Sequence, residues 1–131
     1  MSADLVLEVS ATTTGLRSCL DRIRESCTRS KLPRDTISRL QIVVEELFSN
    51  TIQYGYGGEC ERPVRLRLCC SPRIELVYED AAPPFDPTAW QEDSPPRGGV
   101  GRKGILLVRG LAESVRYERS REGNRLTLGF A

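Results

Sequence analysis

Two side chains that could do chemistry lie one helical turn apart in the segment from Leu40 to Gly58. Glu46 and Asn50 are separated by four residues, so on a helix they would project from the same face. There the carboxylate could accept a proton, and the carboxamide oxygen could bind a cation. The same pair also suits an ordinary solvated helix face, and from this helix alone the solvated face is the better interpretation.

The segment that carries this pair is predicted to be the end of a helix. One apolar stripe recurs at the helical interval: Leu40, Val44, Leu47 and Thr51. The helix is expected to begin near Asp35, which can cap it, and to end at the glycines between residues 55 and 58. Tyr54 and Tyr56 flank this exit, where they could stack on a ligand or serve the core.

The composition limits the classes of function. A chain of 131 residues suffices for one core, so we expect a single domain over residues 1–131. The net charge of +1 does not favour nucleic acid or a membrane surface, and no apolar run approaches the ~20 residues of a membrane span. The absence of histidine excludes a Ser-His or Cys-His catalytic pair and a phosphohistidine relay within this chain.

The cysteines favour neither zinc nor a disulfide framework, because their count is odd and no C-x-x-C pair occurs. They are Cys19, Cys27, Cys60, Cys69 and Cys70. We interpret them as reduced and mostly buried residues of a cytoplasmic protein.

The hydrophobic pattern predicts an α+β fold in which a layer of helices covers an antiparallel sheet. The expected strands are Asp4–Ser10, Pro63–Cys70, Ile74–Glu79, Ser114–Arg119 and Leu126–Phe130, the last two turning at Glu122-Gly123-Asn124. The expected helices are Gly15–Ser30, the one from Asp35, and one that contains Ile105, Leu106, Val108 and Leu111.

A loop of about twenty residues, from Ala81 to Gly101, follows the third strand and is longer than most connections in a small domain. Such a loop either covers a site or is disordered, and Phe85 and Trp90 argue for partial docking. The third helix then opens with Gly101 and Gly104. A helix start lined by glycines offers free N–H groups to a phosphate, although glycines open many helices for steric reasons alone.

Three blocks occur in a meaningful order: E-x-x-x-N at Glu46–Asn50, D-x-x-P-P-F-D-P from Asp80, and G-x-x-G at Gly101–Gly104. With the stretches EELFSNTIQYGY, EDAAPPFDP and GILLVRGLAESVRYER, the chain resembles the GHKL or Bergerat-fold ATPases. It is most similar to the small bacterial anti-sigma factor serine kinases, over nearly its whole length. The resemblance implies a two-layer α/β sandwich of the histidine-kinase-like ATPase type, with three helices on one face of a mostly antiparallel sheet.

The resemblance also implies a role for each block. Asn50 would bind Mg²⁺, and Asp80 would accept a hydrogen bond from the adenine amino group. Glu46 would be the general base, or at least the residue that orients the incoming serine hydroxyl. The remaining residues expected at the ATP site lie in the second and third blocks: Ala82, Phe85, Gly101, Arg102, Lys103 and Gly104.

Two positions depart from the family pattern. Ala82 stands where glycine is usual, and a left-handed backbone there would cost alanine about 1–2 kcal/mol. Arg102 replaces the second glycine of the third block, where its side chain could crowd the nucleotide or bind a phosphate.

The activity implied by the resemblance is that of an ATP- and Mg²⁺-dependent protein-serine kinase in a partner switch. It would phosphorylate a small anti-sigma-factor antagonist and sequester a sigma factor or another regulatory target. It would act as a homodimer through its first strand and first helix, without direct contact to nucleic acid or membrane.

Two other interpretations of the sequence are open. A non-catalytic partner-switching module that binds nucleotide weakly or not at all is the alternative, motivated by Ala82 and Arg102. A histidine-kinase catalytic fragment is disfavoured, because the chain has no histidine, is expected to be complete at both ends, and carries no preceding dimerisation helix.

Overall fold

Five strands and three helices make up the residues that the computed structural model describes, which are 3–89 and 103–131. The strands are β1 (Leu5–Ser10), β2 (Pro63–Cys69), β3 (Ile74–Asp80), β4 (Ser114–Ser120) and β5 (Gly123–Phe130). The helices are α1 (Thr13–Arg29), α2 (Arg34–Asn50) and α3 (Lys103–Leu111), and a π-helical turn, Thr51–Gly55, continues α2.

The strands form one sheet in the order β1-β2-β3-β5-β4, and every neighbouring pair is antiparallel. The predicted α+β fold with an antiparallel sheet and three helices is thereby confirmed. Strand β3 lies in the middle, so its last residue, Asp80, has a partner on each side: Val64 of β2 and Asn124 of β5.

The core lies between the helices and one face of the sheet. Alternate residues of β2, namely Val64, Leu66 and Leu68, are buried, as the period-two pattern predicts. The stripe predicted on α2 is also buried: Leu40, Val44, Leu47 and Thr51. Each large apolar side chain buried in this way contributes about 1.5–3 kcal/mol relative to exposure.

The opposite face of the sheet carries charge. One row of alternating sign crosses all five strands: Glu8, Arg65, Glu79, Arg125 and Glu118. Arg65 Nε lies 2.6 Å from Glu8 Oε1, and Arg125 Nε lies 3.3 Å from Glu79 Oε2. Because these side chains are charged and most of them are exposed, this face of the sheet is solvated, and the helices cover the opposite, apolar face. Exposed ion pairs of this kind add little stability.

The predicted cap of α2 and the predicted position of the last turn are wrong, although α2 does begin near Asp35. The N-cap of α2 is Pro33 and makes no side-chain cap bond, while Asp35 lies in the first turn and pairs with Arg39, Oδ2 to Nε 3.1 Å. The final hairpin pairs Ser120 with Gly123, so residues 121 and 122 form its loop. Asn124 therefore belongs to β5 and not to the turn.

The five cysteines are free, as predicted, and Cys19, Cys27 and Cys70 are buried. Burial raises the pKa of Cys19 to about 11 and that of Cys27 to about 12, so both thiols stay protonated at neutral pH. Among the described residues, no group of cysteine and acidic side chains could hold a metal ion. None of the described helices has the length and hydropathy needed to cross a bilayer.

Candidate functional site

The end of α2 carries three residues of the candidate site. Glu46 and Asn50 lie one turn apart and are partly exposed, whereas Thr51 is only 1 % exposed. The chain does not leave the helix after Asn50, because the amide of Tyr56 donates to the carbonyl of Thr51 over 2.7 Å and closes a π turn. Such turns are frequent at functional sites because they redirect the side chains that they carry.

The carboxylate of Asp80 is held by three hydrogen bonds at the end of β3. Thr51 Oγ1 donates to Oδ2 over 2.7 Å. Asn124 Nδ2 donates to Oδ1 over 2.9 Å, and the amide of Ala82 donates to Oδ1 over 3.2 Å. A carboxylate offers about four acceptor positions, so these donors leave one on Oδ2 for a further N–H group.

Asn124 organises the same end of the site from β5. Its Nδ2 also donates to the carbonyl of Pro83 over 3.0 Å, while its Oδ1 accepts from Tyr117 Oη (2.6 Å) and from the amide of Phe85 (3.2 Å). Asn124 thus ties the segment after Asp80 to the sheet. Asn124 is absent from the predicted site because the glycine before it suggested a turn over Glu122-Gly123-Asn124. A two-residue hairpin loop would have set it opposite Asp80.

Gly123, the residue before Asn124, is required by close packing. Its φ is +145°, and a Cβ at this position would overlap the carbonyl oxygen of Asp80. The strand can therefore approach the end of β3 only because residue 123 has no side chain.

Ala82 fits its position without the strain considered for it. Lys31 is the non-glycine residue with positive φ in the described part of the chain, so Ala82 does not adopt a left-handed backbone. Its side chain is buried against Gly55, where an added Cβ would come within 2.9 Å of the Ala82 Cβ. Because residue 55 is a glycine and has no side chain, there is room for the methyl group of Ala82.

Tyr56 supports this segment and does not present a free ring. Its hydroxyl accepts from the amide of Ala81 and donates to the carbonyl of Pro63, both over 2.7 Å. The Arg62 guanidinium lies 4.5 Å from the ring centroid and covers one face. These contacts agree with a structural role of Tyr56 and not with stacking on a ligand.

The third block lies against the first. A Cβ on Gly104 would overlap Glu46 Oε2 and approach Glu46 Cδ to 2.8 Å. The first turn of α3, whose amide groups lack helical partners, therefore begins beside the Glu46 carboxylate. Gly101 and Arg102, and the side chain of Lys103, lie outside the described residues.

Glu46 and Asn50 have side chains available to a ligand. Neither side chain makes a hydrogen bond or ion pair to another residue in the described part of the chain. Phe85, the other aromatic residue predicted at the site, is partly buried and packs against the core. Of the predicted residues that are described, Glu46 meets Gly104, and Asp80 meets Ala82 directly and Phe85 through Asn124.

Two solved structures have a similar fold. One comprises the RsbU and RsbW domains of Rv1364c from Mycobacterium tuberculosis, with a TM-score of 0.64, 16% identity, and coverage of 96% of this chain and 32% of that one. The other is the histidine kinase domain from the Erythrobacter litoralis EL346 blue-light activated histidine kinase. It has a TM-score of 0.56, 17% identity, and coverage of 89% of this chain and 59% of that one.

The present chain thus spans less than two thirds of either solved chain. At these identities the likeness concerns the fold alone. No curated protein matches the sequence. Residues 9–130, however, match the family model described as histidine kinase-like ATPase domain. Since this match covers nearly all of the chain, the protein belongs to the histidine kinase-like ATPase domain family.

Proposed function

We propose that this protein is an ATP- and Mg²⁺-dependent protein-serine kinase of a partner switch, which phosphorylates a small anti-sigma-factor antagonist. Membership of the ATPase family supports the nucleotide, and the likeness of the three blocks to anti-sigma factor kinases supports the substrate class. The observation that carries the proposal is that α2 and the π turn that continues it meet both other blocks. Glu46 lies against Gly104, and Thr51, five residues on, donates to Asp80.

Asp80 would recognise the base. Its remaining acceptor position suits the amino group of adenine, whereas the carbonyl oxygen of guanine would face the carboxylate and be repelled. The three donors that hold Asp80 keep it in one orientation, so the cost of ordering it is already met by the fold.

Asn50 and the start of α3 would meet the phosphates. Asn50 offers an amide oxygen, which suits a small hard cation such as Mg²⁺. Mg²⁺ held there would supply positive charge that offsets the charge of the phosphates. The free amides at the start of α3 suit phosphate oxygens, and the residues Gly101, Arg102 and Lys103 would add two cationic side chains and another close approach.

Glu46 would act on the acceptor serine. Its carboxylate, one turn from Asn50, would take the proton of the serine hydroxyl as that oxygen bonds to the γ-phosphorus. The bond from the γ-phosphorus to the bridging oxygen of ADP breaks in the same displacement. Such transfer requires positioning and charge neutralisation more than covalent chemistry, so a base, an amide ligand and a phosphate cradle suffice.

The partner surfaces follow the same proposal. The kinase would act in the cytoplasm, as a homodimer that also sequesters a sigma factor or another regulatory target. β1 is an edge strand of the described sheet and exposes 64 % of Val6, which supports the first strand as the dimer surface. Light scattering of wild type and Val6→Lys tests this: a monomeric wild type contradicts it.

The kinase activity is tested by incubation with γ-labelled ATP, Mg²⁺ and the purified antagonist. We expect label on a serine of the antagonist, and a roughly 100-fold slower transfer by Glu46→Gln, which can no longer accept the proton. Glu45→Gln is the matched control, because Glu45 is adjacent and exposed but lies about 100° away around the helix axis. Folded wild type that leaves the antagonist unlabelled contradicts the kinase.

Calorimetry with ATP and Mg²⁺ separates the kinase from the alternative, a partner-switching module without catalysis. Binding at micromolar or tighter affinity supports the kinase, and a silent titration supports the module. The substitution at Ala82 no longer favours the alternative, because Ala82 fits its position without a positive φ.

A further inference from the structure

One hydroxyl group behind Asp80 has three neighbours but only one hydrogen. Thr51 Oγ1 lies 2.7 Å from Asp80 Oδ2, 2.7 Å from Tyr78 Oη and 3.1 Å from the carbonyl oxygen of Leu47. A bond to an ionised acceptor is the stronger one, so the threonine hydrogen points to Asp80. The contact between Thr51 and Tyr78 is then a hydrogen bond only if Tyr78 donates.

The Tyr78 hydroxyl keeps its proton at neutral pH and can therefore donate a hydrogen bond. The residue is 3 % exposed, and burial raises the pKa of its phenol well above the usual value. Thr51 is its hydrogen-bond partner in the described part of the chain. The three groups therefore form a chain of one polarity, from Tyr78 through Thr51 to Asp80, in which each bond strengthens the next.

We propose that this relay makes Thr51 a positioning residue for adenine selectivity. By filling one acceptor position of Oδ2, while Asn124 and Ala82 fill Oδ1, Thr51 leaves a single opening on the carboxylate. A single opening accepts one N–H group at one angle, which distinguishes a 6-amino purine from a 6-oxo purine. The inference rests on the proposed function, since it takes Asp80 as the residue that meets the base.

Tyr78 strengthens the bond that Thr51 donates to Asp80, because a hydroxyl group that accepts a hydrogen bond is the better donor. Without the phenol this bond is weaker, and the carbonyl of Leu47, four residues earlier, competes for the same hydrogen. In the molecules whose hydrogen points to Leu47, Oδ2 has two open positions, and the carboxylate is less restricted. Tyr78 thus acts on the base through Thr51 and touches no ligand itself.

The test compares ATP with inosine triphosphate, which has a 6-oxo group in place of the 6-amino group. Calorimetry with Mg²⁺ measures both affinities for wild type, Thr51→Val, Thr51→Ser and Tyr78→Phe. We expect the preference for ATP over inosine triphosphate to fall about tenfold in Thr51→Val, because one donor to the carboxylate is lost. Thr51→Ser restores the hydroxyl and the preference, and Tyr78→Phe lowers it by a smaller factor.

A threonine on the other face of the sheet provides the matched control. Thr127 of β5 faces outward between the buried residues Leu126 and Leu128, so Thr127→Val makes the same chemical change away from the site. Its preference for ATP should equal that of wild type. A merely structural role of Thr51 would lower both affinities together and leave their ratio unchanged.

The outcomes separate this inference from the proposed function. An unchanged ratio in Thr51→Val overturns the relay and leaves the kinase intact. A lowered ratio, with no serine labelled by wild type, supports the relay and contradicts the kinase. Equal affinities of wild type for ATP and inosine triphosphate also overturn the relay. If Thr51→Val does not fold, Tyr78→Phe decides the matter by the same ratio, and an unchanged ratio there overturns the relay.

Discussion

The two ends of the candidate site are built differently. In the proposed function, Asp80 lies at the base end, and Glu46 and Asn50 lie at the phosphate end. Asp80 receives three hydrogen bonds, and the residues behind it, Thr51 and Tyr78, are buried. The side chains of Glu46 and Asn50 are partly exposed and have no hydrogen-bond partner in the described part of the chain. The fold thus fixes Asp80 more firmly than it fixes Glu46 and Asn50.

The difference follows from the elements that carry each end. Strand register places Asp80 opposite Asn124, so its surroundings are the sheet and the helix packed above it. Glu46 and Asn50 are partly exposed on a helix, and Gly104 of the third block lies against Glu46. A preorganised group loses little freedom on binding, whereas a free one must be ordered by the ligand. Changes at the base end should therefore lower ATP affinity most, and changes at the phosphate end should alter the response to Mg²⁺ and the rate of transfer.

The largest effect is expected at the base end from Asp80→Asn. The amide group turns one acceptor oxygen into a donor, which must face either Thr51 or the Asn124 and Ala82 donors. We expect ATP affinity to fall about 100-fold or more, since an unsatisfied buried group and the lost base contact each cost about 1–3 kcal/mol.

Calorimetry measures this change, and Asp86→Asn is its control. Asp86 lies in the same segment, and its carboxylate bonds to Thr88, with Oδ1 accepting from the amide over 2.9 Å and from the hydroxyl over 2.6 Å. Equal ATP affinities of Asp80→Asn and wild type would contradict the role of Asp80 in binding the base. The proposed difference between the two ends would then be wrong.

A second change tests whether the backbone of the base end is as closely packed as its side chains. Gly123→Ala puts a methyl group into the carbonyl oxygen of Asp80 and asks alanine to adopt a φ of +145°. We expect the free energy of unfolding to fall by about 2 kcal/mol or more. Denaturant unfolding measures it against Gly110→Ala, whose Cβ meets nothing within 4 Å. Similar stabilities for the two variants contradict the close approach.

The sequence predicts the placement of Glu46 and Asn50 better than the surroundings of Asp80. Helical spacing puts Glu46 and Asn50 one turn apart, which is a local property of the sequence, and the resemblance adds Gly104, which lies against Glu46. Asn124 was missed because a glycine beside it suggested a turn, and only the register of the hairpin corrects this. Strand register depends on packing across the sheet, which a local pattern does not contain.

Thr51 shows a different limit. Its spacing placed it correctly in the buried stripe of α2, and periodicity says no more than that. Whether a buried threonine fills space or donates to a carboxylate depends on residues 27 and 29 positions away in the sequence, Tyr78 and Asp80. A polar residue inside an otherwise apolar stripe was the available signal, because buried hydroxyl groups need partners.

At the phosphate end, Asn50→Ala should change the response to metal more than the binding of the base. We expect wild type to bind ATP about tenfold more weakly when EDTA removes Mg²⁺, and Asn50→Ala to bind with the weaker affinity in both conditions. Calorimetry with and without Mg²⁺ measures this, with Ser49→Ala as the neighbouring control. An undiminished Mg²⁺ effect in Asn50→Ala excludes the amide as a metal ligand.

The smallest effect is expected from a pair of changes in α3 that are alike in chemistry and unlike in surroundings. Gly104→Ala and Gly110→Ala each replace a helical glycine by the residue with the highest helix propensity. At 110 the methyl group meets open space, so we expect a gain of about 0.5–1 kcal/mol in stability and unchanged kinase activity.

At 104 the same methyl group displaces the Glu46 carboxylate, because the added Cβ would overlap Oε2. Since Glu46 is held by no other described residue, it can turn away at little cost to stability, and transfer to the serine should fall by about three- to tenfold. ATP affinity should change less, because Asp80 lies at the other end. Initial rates of labelling and calorimetry separate the two quantities. A Gly104→Ala variant as active as Gly110→Ala would show that the carboxylate need not remain where α3 places it.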